Sequence, residues 1–446
     1  MAARTAEAAR TAGGAHPAVP EEGAASGASA PGGRGARTGG TAAPGPGADG
    51  AAAPSSPAPA VLSVAAVLPP NYADQETLTA ALRAHWAARH FNVARLDDLH
   101  RAVQVRGRHL ALPLGAYAAL DGFQKSNDAW NRVALDLGAE AVTRALDAAG
   151  LRPEDVDHLH FVTVTGLSTP SIDARLVNRL GLRRDVKRVP IFGLGCVAGA
   201  AGLARLSDAL RAFPGDVGVL LSVELSSLTL QRDDASVANA VASGIFGDGA
   251  AAVVLAGGRR AAGRASARAA TPPEGARDAG RARAACGDPV AGPARAASPA
   301  RPGPRVVATR SAFYRDTEWV MGWDFVDTGF KVVLSAQVPE ITRSHIGADV
   351  DDFLAAHGLA RGDVAHWIAH TGGPKVLQAF EAALELPRDA LRLSWRSLEE
   401  VGNLSSASVL FVLGDLLASG APRPGDRGLL VAMGPGFCAE LVLLEW

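Results

Sequence analysis

The chain is poor in sulfur: it has three cysteines, Cys196, Cys286 and Cys438, in 446 residues. Without paired spacing they make no disulfide framework, so a reducing, cytoplasmic setting is expected. Net charge is also scarce. A formal −1 with no ordered basic stripe argues against nucleic acid as an obligatory partner. No run approaches the ~18–20 apolar residues that cross a bilayer. Nor does an apolar stretch of ~7–15 residues follow the first arginines, so neither a membrane contact nor a secretory signal is expected.

What is present is ordinary globular material, 48% hydrophobic and 20% charged. The length suits two or three average domains, or one large duplicated one. Two stretches depart from this. Residues 1–60 are almost entirely Ala, Gly, Pro, Ser, Thr and Arg, with no apolar periodicity. Residues 257–304 repeat that character and carry nine Arg against Glu274, Asp278 and Asp288, a net +6, which leaves the rest of the chain near −7. Neither stretch has the apolar surface to offset its ordering entropy, so both are expected to be disordered, the second as a solvated linker. Cys286 falls in that linker and outside any chemistry. The expected organisation is an extension over 1–60, one half over 61–256, an insert over 257–304 and a second half over 305–446.

Within the two halves, strand-like and helical patterns alternate. Strands are predicted over 61–68, 158–165, 217–223 and 250–255, and helices over 76–90, 126–149, 171–180 and 197–212. After the insert, strands are predicted over 305–311, 366–370, 428–433 and 439–444. Helices are predicted over 338–357, 374–384 and 403–417. The helices at 197–212 and 403–417 are rich in small residues, which implies burial against close neighbours. One such helix per half suggests an α/β fold of two similar halves around a layered core.

Cys196 sits where the apolar run 189–192 gives way to the first of these helices, in Phe192-Gly193-Leu194-Gly195-Cys196-Val197-Ala198-Gly199. Cysteine attacks as the thiolate, and a helix N-terminus favours that charge. A small buried hydrophobe is the plainer reading. A reactive cysteine also needs a proton holder and an orienting polar group. His370, in Trp367-Ile368-Ala369-His370-Thr371-Gly372-Gly373-Pro374, ends an apolar strand just before a turn into a helix. Asn403, in Gly402-Asn403-Leu404-Ser405-Ser406-Ala407, opens the second small-residue helix. Each alone has a bland alternative, a satisfied buried histidine and a helix cap.

Taken together, the three motifs and their order resemble the type III polyketide synthases, the chalcone synthase-like condensing enzymes. The likeness spans about 61–256 and 305–446 and includes Ile245-Phe246-Gly247-Asp248-Gly249 and Gly434-Pro435-Gly436-Phe437. It implies a thiolase-like fold with a duplicated αβαβα layering, a homodimer, and acyl-CoA and malonyl-CoA as substrates with no further cofactor and no metal. By the same resemblance Cys196 would carry the acyl chain as a thioester, with His370 activating the thiolate. His370 and Asn403 would also donate to the enolate oxygen left by decarboxylation of malonyl-CoA, and loss of one such donor typically costs ~10²–10³ in rate.

The resemblance further implies that Phe246 and Phe330 separate a coenzyme A tunnel from a product cavity. Arg95, Arg101 and Lys375 are the candidate phosphate contacts. Val164 stands where plant enzymes carry threonine, which suggests a more apolar starter pocket beside Thr165. The segment Thr165-Gly166-Leu167-Ser168-Thr169-Pro170 is closer to bacterial alkylresorcinol and alkylpyrone synthases. The expected reaction is therefore iterative extension of a fatty acyl starter and closure to a pyrone or resorcinol.

The rival is a ketoacyl-ACP synthase III-like enzyme, which shares the triad but usually carries a Gln-Ala-Asn run after the histidine. A papain-like protease orders Cys, His and Asn similarly, but this cysteine has the wrong flanks. A non-catalytic thiolase-fold binding protein need not keep all three residues. The Gly193-x-Gly195-x-x-x-Gly199 run misses dinucleotide-loop spacing. His366 and His370 would lie ~13 Å apart on a strand, which is too far for a shared metal.

Overall fold

The computed structural model describes residues 57–87, 93–270, 294–297 and 303–446. The expected extension, apart from its last residues 57–60, and Cys286 lie outside the described residues.

Among these residues the main sheet begins with His366–Ala369, Arg427–Gly434, Cys438–Glu445 and Arg305–Phe313. It continues through Ala60–Val67, Asp248–Ala256, Val217–Leu225 and His158–Thr163 to Lys187–Phe192. The order is mirrored about the junction of Arg305–Phe313 with Ala60–Val67. Inside the end strand Lys187–Phe192, which pairs in parallel with His158–Thr163, each side has a parallel pair, His366–Ala369 with Arg427–Gly434 and His158–Thr163 with Val217–Leu225. Two antiparallel pairings follow it in each half.

Period-two alternation assigns each strand residue to one of two faces. Val64 and Ala66 pack with Val253, Leu430 and Val442 in one cluster that also holds the helices Ala198–Ala212 and Ser408–Ser419. Ala65 and Val67 face the opposite way, onto the helix Phe123–Ala149. In the second half Leu429, Val431 and Leu441 face the helices Val338–Ala355 and Pro374–Leu384. The result is helix, sheet, central helix pair, sheet, helix. The expected layering is present.

The duplication reaches single contacts. His158 opens its strand and pairs with Asp216 at 3.0 Å; His366 opens the matching strand and pairs with Asp426 at 2.9 Å. Just before each strand a carboxylate closes a short turn, Asp155 accepting from the Arg152 amide and Asp363 from that of Ala360.

The central helices pack as closely as their small residues allow. A Cβ on Gly199 would meet the Ser406 carbonyl oxygen well inside van der Waals contact, and one on Gly202 would lie 2.6 Å from Leu220.

Three expectations change. The insert 257–304 starts with a helix, Gly258–Ala270, and includes a short strand, Ala294–Ala297, on Ala60–Val67. The helix is anchored rather than free: Arg260 lies 3.5 Å from Asp155, and the Arg259 amide donates to Pro214. The second central helix is Ser408–Ser419, so Asn403 lies before it, ahead of a short turn at Ser405–Ala407. The helices Val93–Ala102, Val237–Ile245 and Arg392–Val401, and the hairpin Met321–Val326 with Gly329–Leu334, add walls that periodicity did not predict.

Candidate active site

Cys196 lies in a single turn, Gly195–Val197, between the end strand and the helix Ala198–Ala212. Gly195 takes φ +54°, where a side chain is strained, and a Cβ there would sit 2.7 Å from Pro435. The turn is therefore pinned against the chain that follows the strand Arg427–Gly434. The thiol is buried, and its Sγ is 3.7 Å from Ser405 Oγ.

His370 follows the strand His366–Ala369, held by its amide to Val431 at 2.9 Å. Its ring is buried and Nδ1 finds no hydrogen-bond partner. Asn403 comes from an extended segment. Its backbone bridges to Phe246, with Asn403 N to Ile245 O at 2.8 Å and Gly247 N to Asn403 O at 3.0 Å. The side-chain Oδ1 accepts from the Ser405 amide at 2.8 Å and from Ser408 Oγ at 3.3 Å. With the carbonyl tied back, the amide NH2 is the end left to serve the cavity.

Cys196, His370 and Asn403 line one cavity of about 460 Å³, together with Phe246 and Lys375. Burial pushes the Cys196 thiol up to about 12, against the Ser405 and Asn403 side chains, which favour the thiolate. Burial also pulls His370 down to about 4. Each value is the cost of a lone charge. Moving the proton from sulfur to imidazole would create opposite charges in one cavity, each offsetting the other's desolvation.

Phe246 lines this cavity and also a second one, of about 230 Å³, whose wall includes Arg108, Tyr117, Ser226, Leu228 and Trp323. The second continues into a third, of about 420 Å³, through shared residues such as Leu120, Ser126 and Leu228.

Phe246 therefore lines two spaces, and the ring it meets is Trp323, at 6.4 Å between centroids. Phe330 lies one ring further on, 6.0 Å from Trp323 and 5.8 Å from Phe123, at the third cavity. The hairpin register explains this. Trp323 pairs with Val332, while Phe330 is two residues nearer the tip, opposite Phe325.

The candidate phosphate contacts separate. Lys375 lines the cavity that holds Cys196, from an exposed position in the first turn of the helix Pro374–Leu384. Arg101 does not reach that cavity. Leu99, Ala102 and Val103 carry the inward face of the helix Val93–Ala102, and the helical turn sends Arg101 to an outer groove, where it pairs with Asp98 at 2.8 Å. Arg95 is exposed, one turn before Leu99 on its side of the helix.

Val164 and Thr165 are buried and serve Glu224, to which the Val164 amide donates at 3.1 Å and Thr165 Oγ1 at 2.9 Å. Thr165 also lines the third cavity. Ser406 donates to the same carboxyl group, and burial raises Glu224 to about 7. Sequence reasoning passed over Glu224, although a lone acid in the apolar strand Val217–Leu225 was a visible signal. His366 is spent on Asp426 at the far end of its strand.

A five-layer duplicated fold with cysteine, histidine and asparagine converging on one cavity defines a condensing enzyme of thiolase-like fold. The chain belongs to the chalcone and stilbene synthases: the N-terminal domain of that family matches residues 52–259 and the C-terminal domain residues 305–445. It is thus an acyl-transferring type III polyketide synthase.

It is 50% identical over 387 residues to a 1,3,6,8-tetrahydroxynaphthalene synthase of Streptomyces peucetius subsp. caesius, covering 86% of this chain and 93% of the relative. It is 32% identical to a phloroglucinol synthase of Pseudomonas fluorescens, covering 77% of this chain and 86% of that one. Its fold superposes on the crystal structure of the tetrahydroxynaphthalene synthase of Streptomyces coelicolor A3(2). The TM-score there is 0.74 at 28% identity, over 87% of this chain and 99% of the other. Family membership sets aside the ketoacyl-ACP synthase III-like, papain-like and non-catalytic readings. Among the described residues no helix is long and apolar enough to cross a membrane.

Proposed function

We propose that this synthase condenses malonyl units, starting from a small acyl group, into a polyhydroxylated aromatic. The observation that carries the reading is the wall of the cavity beyond Phe246. It is mostly apolar, with Arg108, Tyr117, Ser226 and Ser227 interspersed. Such a wall suits a ring system bearing oxygens better than an alkyl chain. The 50%-identical relative is named for a product with ten ring carbons, four of them oxygenated. Five malonyl groups supply ten carbons once five carbon dioxide molecules have left.

In this reading Cys196 takes the starter from coenzyme A as a thioester, and His370 receives its proton. Malonyl-CoA then loses carbon dioxide, and the electron pair released becomes an enolate with charge on the thioester oxygen. His370 and the Asn403 NH2 donate to that oxygen. The enolate carbon attacks the Cys196 thioester, the sulfur leaves as thiolate, and the lengthened chain returns to Cys196. Lys375 and the N-terminus of its helix supply the positive end for the coenzyme A phosphates at the cavity mouth. The steps of this reading use coenzyme A thioesters as substrates and invoke no further cofactor.

A fatty acyl starter, giving an alkylpyrone or alkylresorcinol, is the second reading. It is favoured by the continuation of the second cavity into the third.

The assay is purified protein with malonyl-CoA alone, then with acyl-CoAs of increasing length, with carbon dioxide release and product masses recorded. A ten-carbon polyhydroxynaphthalene, or its quinone, from malonyl-CoA alone is the expected result. Product only with long acyl-CoAs would overturn the small-starter reading in favour of the second.

We infer a homodimer from the strand Lys187–Phe192. Among the described residues it ends the sheet with an unpaired edge, and it exposes Val189 and Phe192, the latter beside Phe325. A bare apolar edge of this kind is a template for pairing with another strand. A reducing compartment such as the cytoplasm would keep Cys196 as a free thiol.

A further inference from the structure

Arg108, named above only as part of the cavity wall, is a fully buried cation to which the condensation steps give no role. It sits on the short strand Gly107–Leu110 at 2% exposure. Burying a charge costs several kcal/mol unless partners restore what water supplied. Its partners are specific. Nη1 donates to Ser243 O at 2.6 Å and to Phe246 O at 3.1 Å. These carbonyls belong to the last turn of the helix Val237–Ile245 and to the residue that caps it. A helix C-terminus carries partial negative charge and unsatisfied carbonyls, so a guanidinium there satisfies both.

The same side chain touches the other half. A Cβ placed on Gly402 or Gly247 would lie 3.4 Å or 3.5 Å from the Arg108 methylenes, so the stem packs along the two-strand bridge that joins Phe246 to Asn403. Asp248, two residues past Phe246, supplies the opposing field and ties the following segment in through the Ala111 amide at 2.6 Å.

We propose that Arg108 is a positioning residue of the condensation site. It fixes the backbone of Phe246 from the helix end and, through the bridge, the backbone that aims Asn403. It would act on extension more than on loading, because Cys196 and His370 are placed by other elements. The proposal rests on Phe246 dividing tunnel from product cavity.

The test compares Arg108→Lys, Arg108→Met, the charge-balanced pair Arg108→Met with Asp248→Asn, and Phe246→Leu in the full-length protein. Three readouts are needed: thermal unfolding, single-turnover acylation of Cys196 by intact mass, and the ratio of short to full-length products. A misplaced gate and amide should cut full-length product formation by about 10–100-fold while acylation falls far less. Prematurely released short chains should accumulate, and lysine should restore part of the loss.

A folded Arg108→Met protein, or its charge-balanced double, with wild-type product ratio and kcat would overturn the proposal. Equal losses in loading and extension would also overturn it. So would failure of all three Arg108 variants to fold, since Arg108 would then be a pillar of the fold at large. If Phe246→Leu leaves the products unchanged, the gate reading fails. If Phe246→Leu changes them and the folded Arg108 variants do not, it is this proposal that fails.

Discussion

Gly199, in the helix Ala198–Ala212, lies against the carbonyl oxygen of Ser406, in the turn that leads into the second central helix, so the two segments meet backbone to backbone close to Cys196. The contact joins the half that carries Cys196 to the half that carries Asn403. Gly199→Ala forces the first helix off that turn, and overpacking of this kind costs about 1–3 kcal/mol. The expected outcome is a lower denaturant midpoint together with reduced condensation. Wild-type values for both would show that the helix and the turn part freely.

His370 should control the state of the Cys196 thiol. With His370→Gln the proton has no imidazole to go to, and burial keeps the thiol high, with only Ser405 and Asn403 in support. Alkylation by iodoacetamide at pH 7 should slow by about 10–100-fold, with the midpoint of its pH profile moved upward. Mass spectrometry of timed samples gives both quantities. An unchanged profile would mean that the pair does not share its proton.

Glu224 makes stability depend on pH in a defined direction. Burial raises its folded value to about 7 from 4.5, so between those limits the folded state holds more protons than the unfolded state. Stability is therefore lost as pH rises from about 5 to about 8, by roughly 3 kcal/mol at most from this group. Glu224→Gln should unfold relatively later at pH 8 than at pH 5 when each is compared with wild type. The opposite trend in paired melts would place the proton elsewhere.

The free edge at Lys187–Phe192 should govern assembly. Replacing Val189 and Phe192 by glutamate puts like charges on both sides of a two-fold strand pairing. Sedimentation at micromolar concentration should then report a monomer where the native chain gives a dimer. A dimer that survives both substitutions would move the interface to another face.

Alternation of strands and helices, and the clustering of small residues on two helices, were enough to read the layering. The helix Pro374–Leu384 begins and ends at its predicted limits, where Gly373 and proline mark the start. Less was legible where the determinant is a distant partner. Asn403 looks like a cap because Gly402 precedes it and small residues follow. Its actual setting is an extended bridge to Phe246, 157 residues earlier, which no local pattern encodes.

The helix Val237–Ile245 mixes β-branched and small residues, and so carries little helical signature. Which aromatic stands beside Phe246 was illegible for a similar reason. Phe330 and Trp323 are both plausible aromatics in sequence, and only the hairpin register chooses between them. Arg101 is the reverse case: a helix position counted from Leu99 already turns it outward.

The twin fastenings, His158 to Asp216 and His366 to Asp426, mark the two halves as copies of one structural unit. Each copy runs from its fastened strand through an outer helix and on to a tight turn ahead of a central helix, but one copy places Cys196 at that turn and the other Asn403 just before it. The division of labour leaves neither copy a spare. A change that lengthens either turn moves one reactant away from a partner it cannot replace, so new products in this lineage should arise by remodelling the walls around the junction and not the junction itself.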